Sequence, residues 1–520
     1  PKVVSGKGTC QEVTMMNPDL HKLPVMFCWP FDGGKFITLP VIHTKDPHNG
    51  IRNVGMYRMQ IYDEKTTGMH WHKHKVSAKH FNEYKKLGKR MPVAVALGGD
   101  PVYTYAATAP LPENVDEYML AGFLRKKKVT LVRCITQPEI EVPEDADFII
   151  EGYIDPTEDL RIEGPFGDHT GFYSLPDLYP IFHVTCITHR THAVYPSTIV
   201  GIPPQEDAWI GKATERIFLA PIKMTMVPEI LDMNMPVEGV FHNLVLTKIE
   251  KSFAGQAQKV MNAMWGAGQM MFNKILVITD ESADLNDYEA VAKHVFKHLN
   301  AATDIYFSQG PMDVLDHSCS KMGFGGKMCI DGTIKHEEEI SEETYQEEMH
   351  VSVAAIQSKY PEVKGVNTTL LAKDIACVII SVQKQQTHHV QKLTEALHAD
   401  QLMKGIKMVL IVDASSDVND ISSCLWRVCN NFDPKRDAKV LKTFNQTHQS
   451  FATIYIDGTR KTKQHDLFQR DWPNAIVSDK ATILAIDKKW ASLGLGTLID
   501  SPSLKYQDTV IGESAEVRES

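Results

Sequence analysis

The chain has 520 residues, 43% of them hydrophobic, enough for several packed domains and too many for a mainly disordered protein. Its 65 acids outnumber 55 bases, a formal net charge of -10, which argues against a nucleic-acid protein because phosphate neutralisation needs a basic surface. No apolar run approaches the roughly 18–20 residues of a bilayer span, and no signal peptide opens the chain.

Nine scattered cysteines without a CxxC pair argue against a disulfide framework or structural zinc and point to a reducing cytoplasm. The chain opens on Pro1 and not on Met, so a preceding N-terminal segment is expected.

Residues 1–200 read as short β-rich segments broken by turns. Asn53 to Lys75 holds two extended runs around a turn at Asp63 to Gly68, and "VTLVRCI", "ADFIIEGYI" and "PIFHVTCIT" continue the style. Strands with turn signals at this spacing predict a β-barrel or sandwich. From about residue 205 strands alternate with helices. "KILVITD" (Lys274 to Asp280) is a short β-branched run, and "NDYEAVAKHVFKHLN" follows with Asn286 or Asp287 as N-cap and Val291, Val295 and Leu299 on one face. Such β-α units imply a parallel sheet covered by helices.

The unit recurs. "KMVLIVDASSDVND" (Lys407 to Asp420) repeats "KILVITDESADLND" (Lys274 to Asp287), and "IACVIISV" with "HHVQKLTEALHADQL" supplies another strand–helix pair. We therefore expect an α/β domain over 201–335 and a C-terminal α/β extension over 336–520, holding either a duplicated half or a second, similar sheet. The acidic run His336 to Glu348 reads as a solvated helix face or linker.

Four constellations could carry chemistry. In "HWHKHK", His70, His72 and His74 fall on one face of a strand, which suits either a metal site or a polar outer face. In "RNVGMYR", Arg58 lies in an apolar and aromatic run, so it faces solvent or pairs with an acid. "EGPFGDHTGFY" offers Glu163 and Asp168 five residues apart on a Gly/Pro turn, as turn residues or as partners in acid/base work. "MGFGGKMCIDGTIK" embeds Lys327 among glycines; it fits a phosphate site or a flexible loop and matches neither GxxxxGK[ST] nor GxGxxG.

These stretches occur in one order with "CQEV", "CWPFDGGKFIT", "VALGGDP" and "DEYMLAGFLR", and that ordered set resembles the UbiD family of reversible carboxy-lyases. The resemblance implies a split β-barrel domain, like that of flavin reductases, followed by an α/β domain. It also implies non-oxidative decarboxylation of an aromatic or α,β-unsaturated carboxylic acid. Prenylated FMN and Mn2+ would be the cofactors, with K+ as a further candidate ion, and a flavin prenyltransferase would supply the flavin.

On the matching positions, Asp168 would donate the proton and the Arg58–Glu163 pair would position the carboxylate. Asn53, His74 and Glu117 would bind the metal. Met56, Tyr57, Arg58, His70, Trp71, His72 and Lys75 would contact the flavin, and Lys327 its phosphate. Asp168 would be tuned to carry a proton for part of the cycle. A homo-oligomer without membrane insertion is expected. The alternatives are a flavin-dependent oxidoreductase and a flavin-binding scaffold or subunit of a multisubunit carboxylase without activity of its own.

Overall fold

The structure, a computed structural model, describes residues 1–72, 75–340 and 344–518. It divides into two units: residues 1–201 with 476–504 and 513–515, and residues 202–475 with the remaining tail segments.

The first unit is organised by one seven-stranded sheet. Its strands are β1 (Val13–Met15), β2 (Val41–Lys45), β3 (Arg52–Met56), β4 (Thr66–Gly68), β5 (Met91–Leu97), β6 (Phe148–Ile154) and β7 (Ile181–His189). They run in the order β1-β7-β6-β5-β2-β3, with β4 also paired to β7. Every residue of β5, "MPVAVAL", is buried, and its period-two alternation sorts large from small. Met91, Val93, Val95 and Leu97 face one apolar cluster with Ile150, Ile154 and Phe182. Ala94 and Ala96 face the other, where the helices Pro101–Thr108 and Glu117–Arg125 approach through Tyr103, Ala106, Tyr118 and Ala121. Alanine on that face lets the helices close on the sheet. The chain returns here late: Ile476 packs on Tyr173, and its N–H donates to Gly171 O at 2.9 Å.

The second unit holds two five-stranded sheets. The first contains β8 (Ile230–Asn234), β9 (Leu244–Ile249), β10 (Ile275–Asp280), β11 (Ile305–Pro311) and β12 (Phe324–Asp331). The second contains β13 (Val363–Asn367), β14 (Cys377–Val382), β15 (Met408–Asp413), β16 (Ala438–Phe444) and β17 (Ser450–Asp457). Their orders match, β8-β9-β10-β12-β11 and β13-β14-β15-β17-β16, each with three parallel central strands and two antiparallel edges.

Even side-chain roles recur. Lys335 donates to Asp331 O and Thr333 O, as Lys461 does to Asp457 O and Thr459 O in the second sheet. One face of each sheet enters a common core that joins Val277, Met328 and Ile330 to Ile379, Leu410, Phe432 and Ile454. Residues 336–475 thus share a unit with 202–335. Among the described residues, no helix is long and apolar enough to cross a membrane.

Because both sheets bury their faces in one core, damage on one side should be felt on the other. We expect Ile454→Ala to cost about 2–4 kcal/mol in denaturant unfolding, by lost transfer energy and a residual cavity. Hydrogen exchange should then accelerate in Ile275–Asp280 as well as in Met408–Asp413; a loss of protection confined to the second sheet would count against the shared core.

Candidate active site

The Gly/Pro turn of Glu163 and Asp168 lies in the first unit. Phe166–Gly167 and Tyr173–Ser174 form a two-residue ribbon, and Asp168 to Gly171 closes its tip with Gly171 N–H on Asp168 O at 3.0 Å. Arg58 lies against it. Its Nε and Nη2 grip Glu163 Oε1 and Oε2 at 2.9 and 3.1 Å, a bidentate pairing, while Nη1 meets Asp168 Oδ2 at 2.5 Å. Nη2 also donates to Ser174 Oγ at 3.1 Å, and the guanidinium sits 4.6 Å from the centre of the Phe166 ring. Four of the five guanidinium N–H groups are thereby engaged.

Glu163 is fully buried and Asp168 only 8% exposed. Burial pushes both carboxyls up, but the neighbours outweigh it. Arg58 and His70 hold Glu163 down at about 2. The His169 hydrogen bond and the Arg58 charge hold Asp168 well below the usual carboxylate range. In the free protein Asp168 is therefore ionised.

The histidine stripe continues the network. His70 Nδ1 lies 2.9 Å from Glu163 Oε2, and His70 Nε2 lies 2.7 Å from His72 Nε2. Burial and Arg58 lower the pKa of His70. A neutral His70 that donates through Nδ1 must accept at Nε2, so His72 is the donor of that second bond. The ring of Tyr179 lies 4.3 Å from that of His70.

Asn53 and Glu117 are linked through β3, since Glu117 bonds the backbone of the residue after Asn53. Asn53 is on β3 and donates to Ser77 Oγ at 2.9 Å. Glu117, the first residue of its helix, accepts the Val54 N–H at 2.9 Å. Among the described residues its carboxylate has no ion pair, and burial pushes its pKa up to about 7. A carboxamide and a desolvated, uncompensated carboxylate suit a hard divalent cation such as Mn2+. The third expected ligand, His74, lies outside the described residues. Among the described residues, no three His, Cys, Asp or Glu side chains are grouped to hold a metal.

Two family profiles cover most of the chain. The "3-octaprenyl-4-hydroxybenzoate carboxy-lyase Rift-related domain" matches residues 2–203, and the corresponding C-terminal domain matches 208–332 and 347–458. The chain belongs to the UbiD family.

An uncharacterised protein of Archaeoglobus fulgidus is 49% identical over 337 residues, covering 64% of this chain and 69% of its own length. One of Helicobacter pylori strain J99 is 36% identical over 474 residues, covering 91% and 74%. Among solved structures, the closed form of the Sedimentibacter hydroxybenzoicus vanillic acid decarboxylase superposes with a TM-score of 0.61 at 26% identity, over 70% of this chain and 78% of that one. The UbiD-class enzyme HmfF of Pelotomaculum thermopropionicum, solved with FMN, gives 0.59 at 28% identity over 66% and 77%. The mixed α/β multidomain fold of this UbiD member is similar to theirs.

The remaining expected residues are dispersed. Met56 ends β3; Tyr57 and Trp71 pack in the core edge to face, with ring centres 6.2 Å apart. Lys75 immediately precedes the helix Val76–Leu87. Lys327 belongs to the second unit, on β12, where its ammonium donates to Met271 O and Asn273 O at 2.6 and 2.7 Å and burial lowers its pKa to about 8. Sequence reasoning missed Ser174 and Tyr179, which touch the network across the ribbon. It also missed Asp32 and Gln60, although Asp32 lies in the quoted "CWPFDGGKFIT".

Two outcomes follow for this UbiD member. Glu163 is stabilised as an anion, so its contribution to stability is present above about pH 4.5 and lost as pH falls toward about 2. Unfolding midpoints of wild type against Glu163→Gln across that window should show the slope flattened in the variant. Arg58→Met removes the shared cation from two buried carboxylates and should cost about 3–5 kcal/mol at pH 7.

Proposed function

We propose that the chain is a prenylated-FMN-dependent carboxy-lyase that reversibly removes CO2 from an aromatic or α,β-unsaturated acid. The observation that carries this reading is the buried cluster of Arg58, Glu163 and Asp168, one cation bracketed by two acids beside an aromatic wall. Family membership supports it, as do the FMN and prFMN complexes of HmfF.

In this reading Glu163 is a rigid holder. Its bidentate grip fixes the plane of the guanidinium, and the remaining N–H on Nη1 is aimed at the substrate carboxylate. Asp168 is the proton donor. The incoming carboxylate sets a like charge beside Asp168, which raises its pKa from the depressed value of the free protein. The proton is thus acquired with the substrate and delivered to the carbon that loses CO2.

When bound, prenylated FMN would act as the electron sink for the pair that CO2 leaves behind. Met56, Tyr57, Arg58, His70, Trp71, His72 and Lys75 would hold it. Asn53, His74 and Glu117 would hold Mn2+, which would supply positive charge to the site. The buried Glu117 carboxylate is the feature of the protein that such an ion would offset.

Protein co-expressed with a flavin prenyltransferase and supplied with Mn2+ should carry a ligand of prenylated-FMN mass by native mass spectrometry. It should release CO2 from members of a panel of hydroxybenzoic and cinnamic acids. Asp168→Asn and Arg58→Ala should each lower turnover at least about 100-fold, and wild-type turnover in Asp168→Asn would remove Asp168 from its role. Calorimetric titration of the preferred acid in buffers of different ionisation enthalpy should show uptake of about one proton. A folded protein that binds no flavin, or binds it without releasing CO2, favours the scaffold or subunit reading.

A further inference from the structure

Between Glu163, which ends a three-residue strand, and Asp168 runs a ribbon strand with only two paired positions, too few to be stable alone. Arg58 ties the two carboxylates but leaves the backbone between them free to move. Three backbone groups of that segment are satisfied from outside it. Gly164 N–H donates to Gln60 Oε1 at 2.7 Å, Pro165 O accepts Gly33 N–H at 2.7 Å, and Gly167 N–H donates to Asp32 Oδ1 at 2.8 Å.

The holders are themselves linked. Gln60 Nε2 donates to Gly33 O at 2.7 Å, and Asp32 Oδ2 accepts Trp29 N–H at 3.0 Å. The two loops lie so close that a Cβ at Gly33 would stand 2.1 Å from Gly164 O, and one at Gly167 would stand 2.4 Å from Trp29 Cδ1. Trp29 is pinned in turn by its indole N–H on Val200 O at 2.6 Å.

We propose that Asp32 and Gln60 are positioning residues, forming a clasp that sets where Glu163 and Asp168 stand around Arg58. The proposal rests on the carboxy-lyase reading for its catalytic consequence, and on the hydrogen bonds alone for its structural one. The residue types follow from the groups they serve. Asp32 receives an N–H on each oxygen, so both must be acceptors, and an asparagine would set its own N–H2 against one of the two donors. Gln60 must accept from one loop and donate to the other, which a carboxamide does and a carboxylate does not. Among the described residues neither hydrogen-bonds the two acids, though Asp32 lies within reach of the Arg58 charge, so loss of the clasp should displace the acids without removing them.

The test uses full-length protein loaded with prenylated FMN, with Asp32→Asn, Gln60→Ala and Gln60→Glu compared against wild type on whichever hydroxybenzoic or cinnamic acid wild type turns over fastest. Asp32→Asn and Gln60→Ala should lower kcat about 100-fold, as an ångström-scale misplacement does, with KM and flavin occupancy within about twofold. Gln60→Glu, which keeps the acceptor for Gly164 N–H, should recover part of that loss. The double variant should lose less than the product of the single losses, because both residues hold one segment.

Amide hydrogen exchange in a peptide spanning residues 163–173 should accelerate in both clasp variants and stay unchanged in peptides of the second unit. Wild-type kcat in either folded variant, or wild-type exchange at 163–173, overturns the proposal. If Asp32→Asn does not fold, Gln60→Ala, which introduces no mismatched donor, carries the same test. Absence of CO2 release by wild type itself defeats the carboxy-lyase reading instead, and the exchange data then decide the clasp independently.

Discussion

A guanidinium in a site with 8% of its side chain exposed is the constraint around which the first unit is arranged. Removing such an ion from water costs several kcal/mol unless its donors are met, and a buried ion pair seldom repays more than that cost. Arg58 is met by Glu163, Asp168 and Ser174, with Phe166 under its face. To bring two carboxylates five residues apart onto one side of a planar fork, the intervening backbone must fold sharply and lie against a second loop. That is why Gly33 and Gly167 stand at the points of closest approach and Gly164 where φ is +95°. An arrangement so demanding and so poor in net stability is one that function, more than folding, accounts for.

The electrostatics of the cluster follow from the same crowding. Glu163 is held by contacts on both oxygens and is a fixed charge. Asp168 is likewise met on both oxygens, Oδ2 by Arg58 and Oδ1 by His169, and its pKa is lowered as well. Two acids with one cation are thus both held in their anionic form by their environment.

The second unit solves a different problem with apolar means. Two sheets of equal topology each have a face that cannot meet water, and they cover each other. Polar ties cross the joint where side chains must be buried: Lys274 pairs with Asp316 and donates to Cys429 O, and Asn243 donates to Asn430 Oδ1. The two sheets are not interchangeable in detail. The carbonyl preceding β10 is met by Lys327, whereas the one preceding β15 is met by the Thr453 hydroxyl. A short neutral donor performs the same backbone service, so the amine of Lys327 exceeds what that hydrogen bond requires.

Local pattern in the sequence was enough for the mixed β and α/β texture, for the strand–helix alternation from about residue 205, and for the pairing of Lys274 to Asp287 with Lys407 to Asp420. These depend on near-neighbour periodicity, which a linear chain displays. The ordered motifs were enough for the family, and they named Arg58, Glu163 and Asp168. Only tertiary structure decided that Arg58 faces those acids and not solvent, because 105 residues separate it from Glu163. It also decided that Asp168 is ionised when the protein is free, since a pKa depends on neighbours contributed by several segments. The roles of Ser174, Asp32 and Gln60 likewise had no local signature. A hydrogen bond to a backbone N–H leaves no periodicity and no characteristic spacing, and it becomes visible only when two distant loops have been folded to within a single bond of each other.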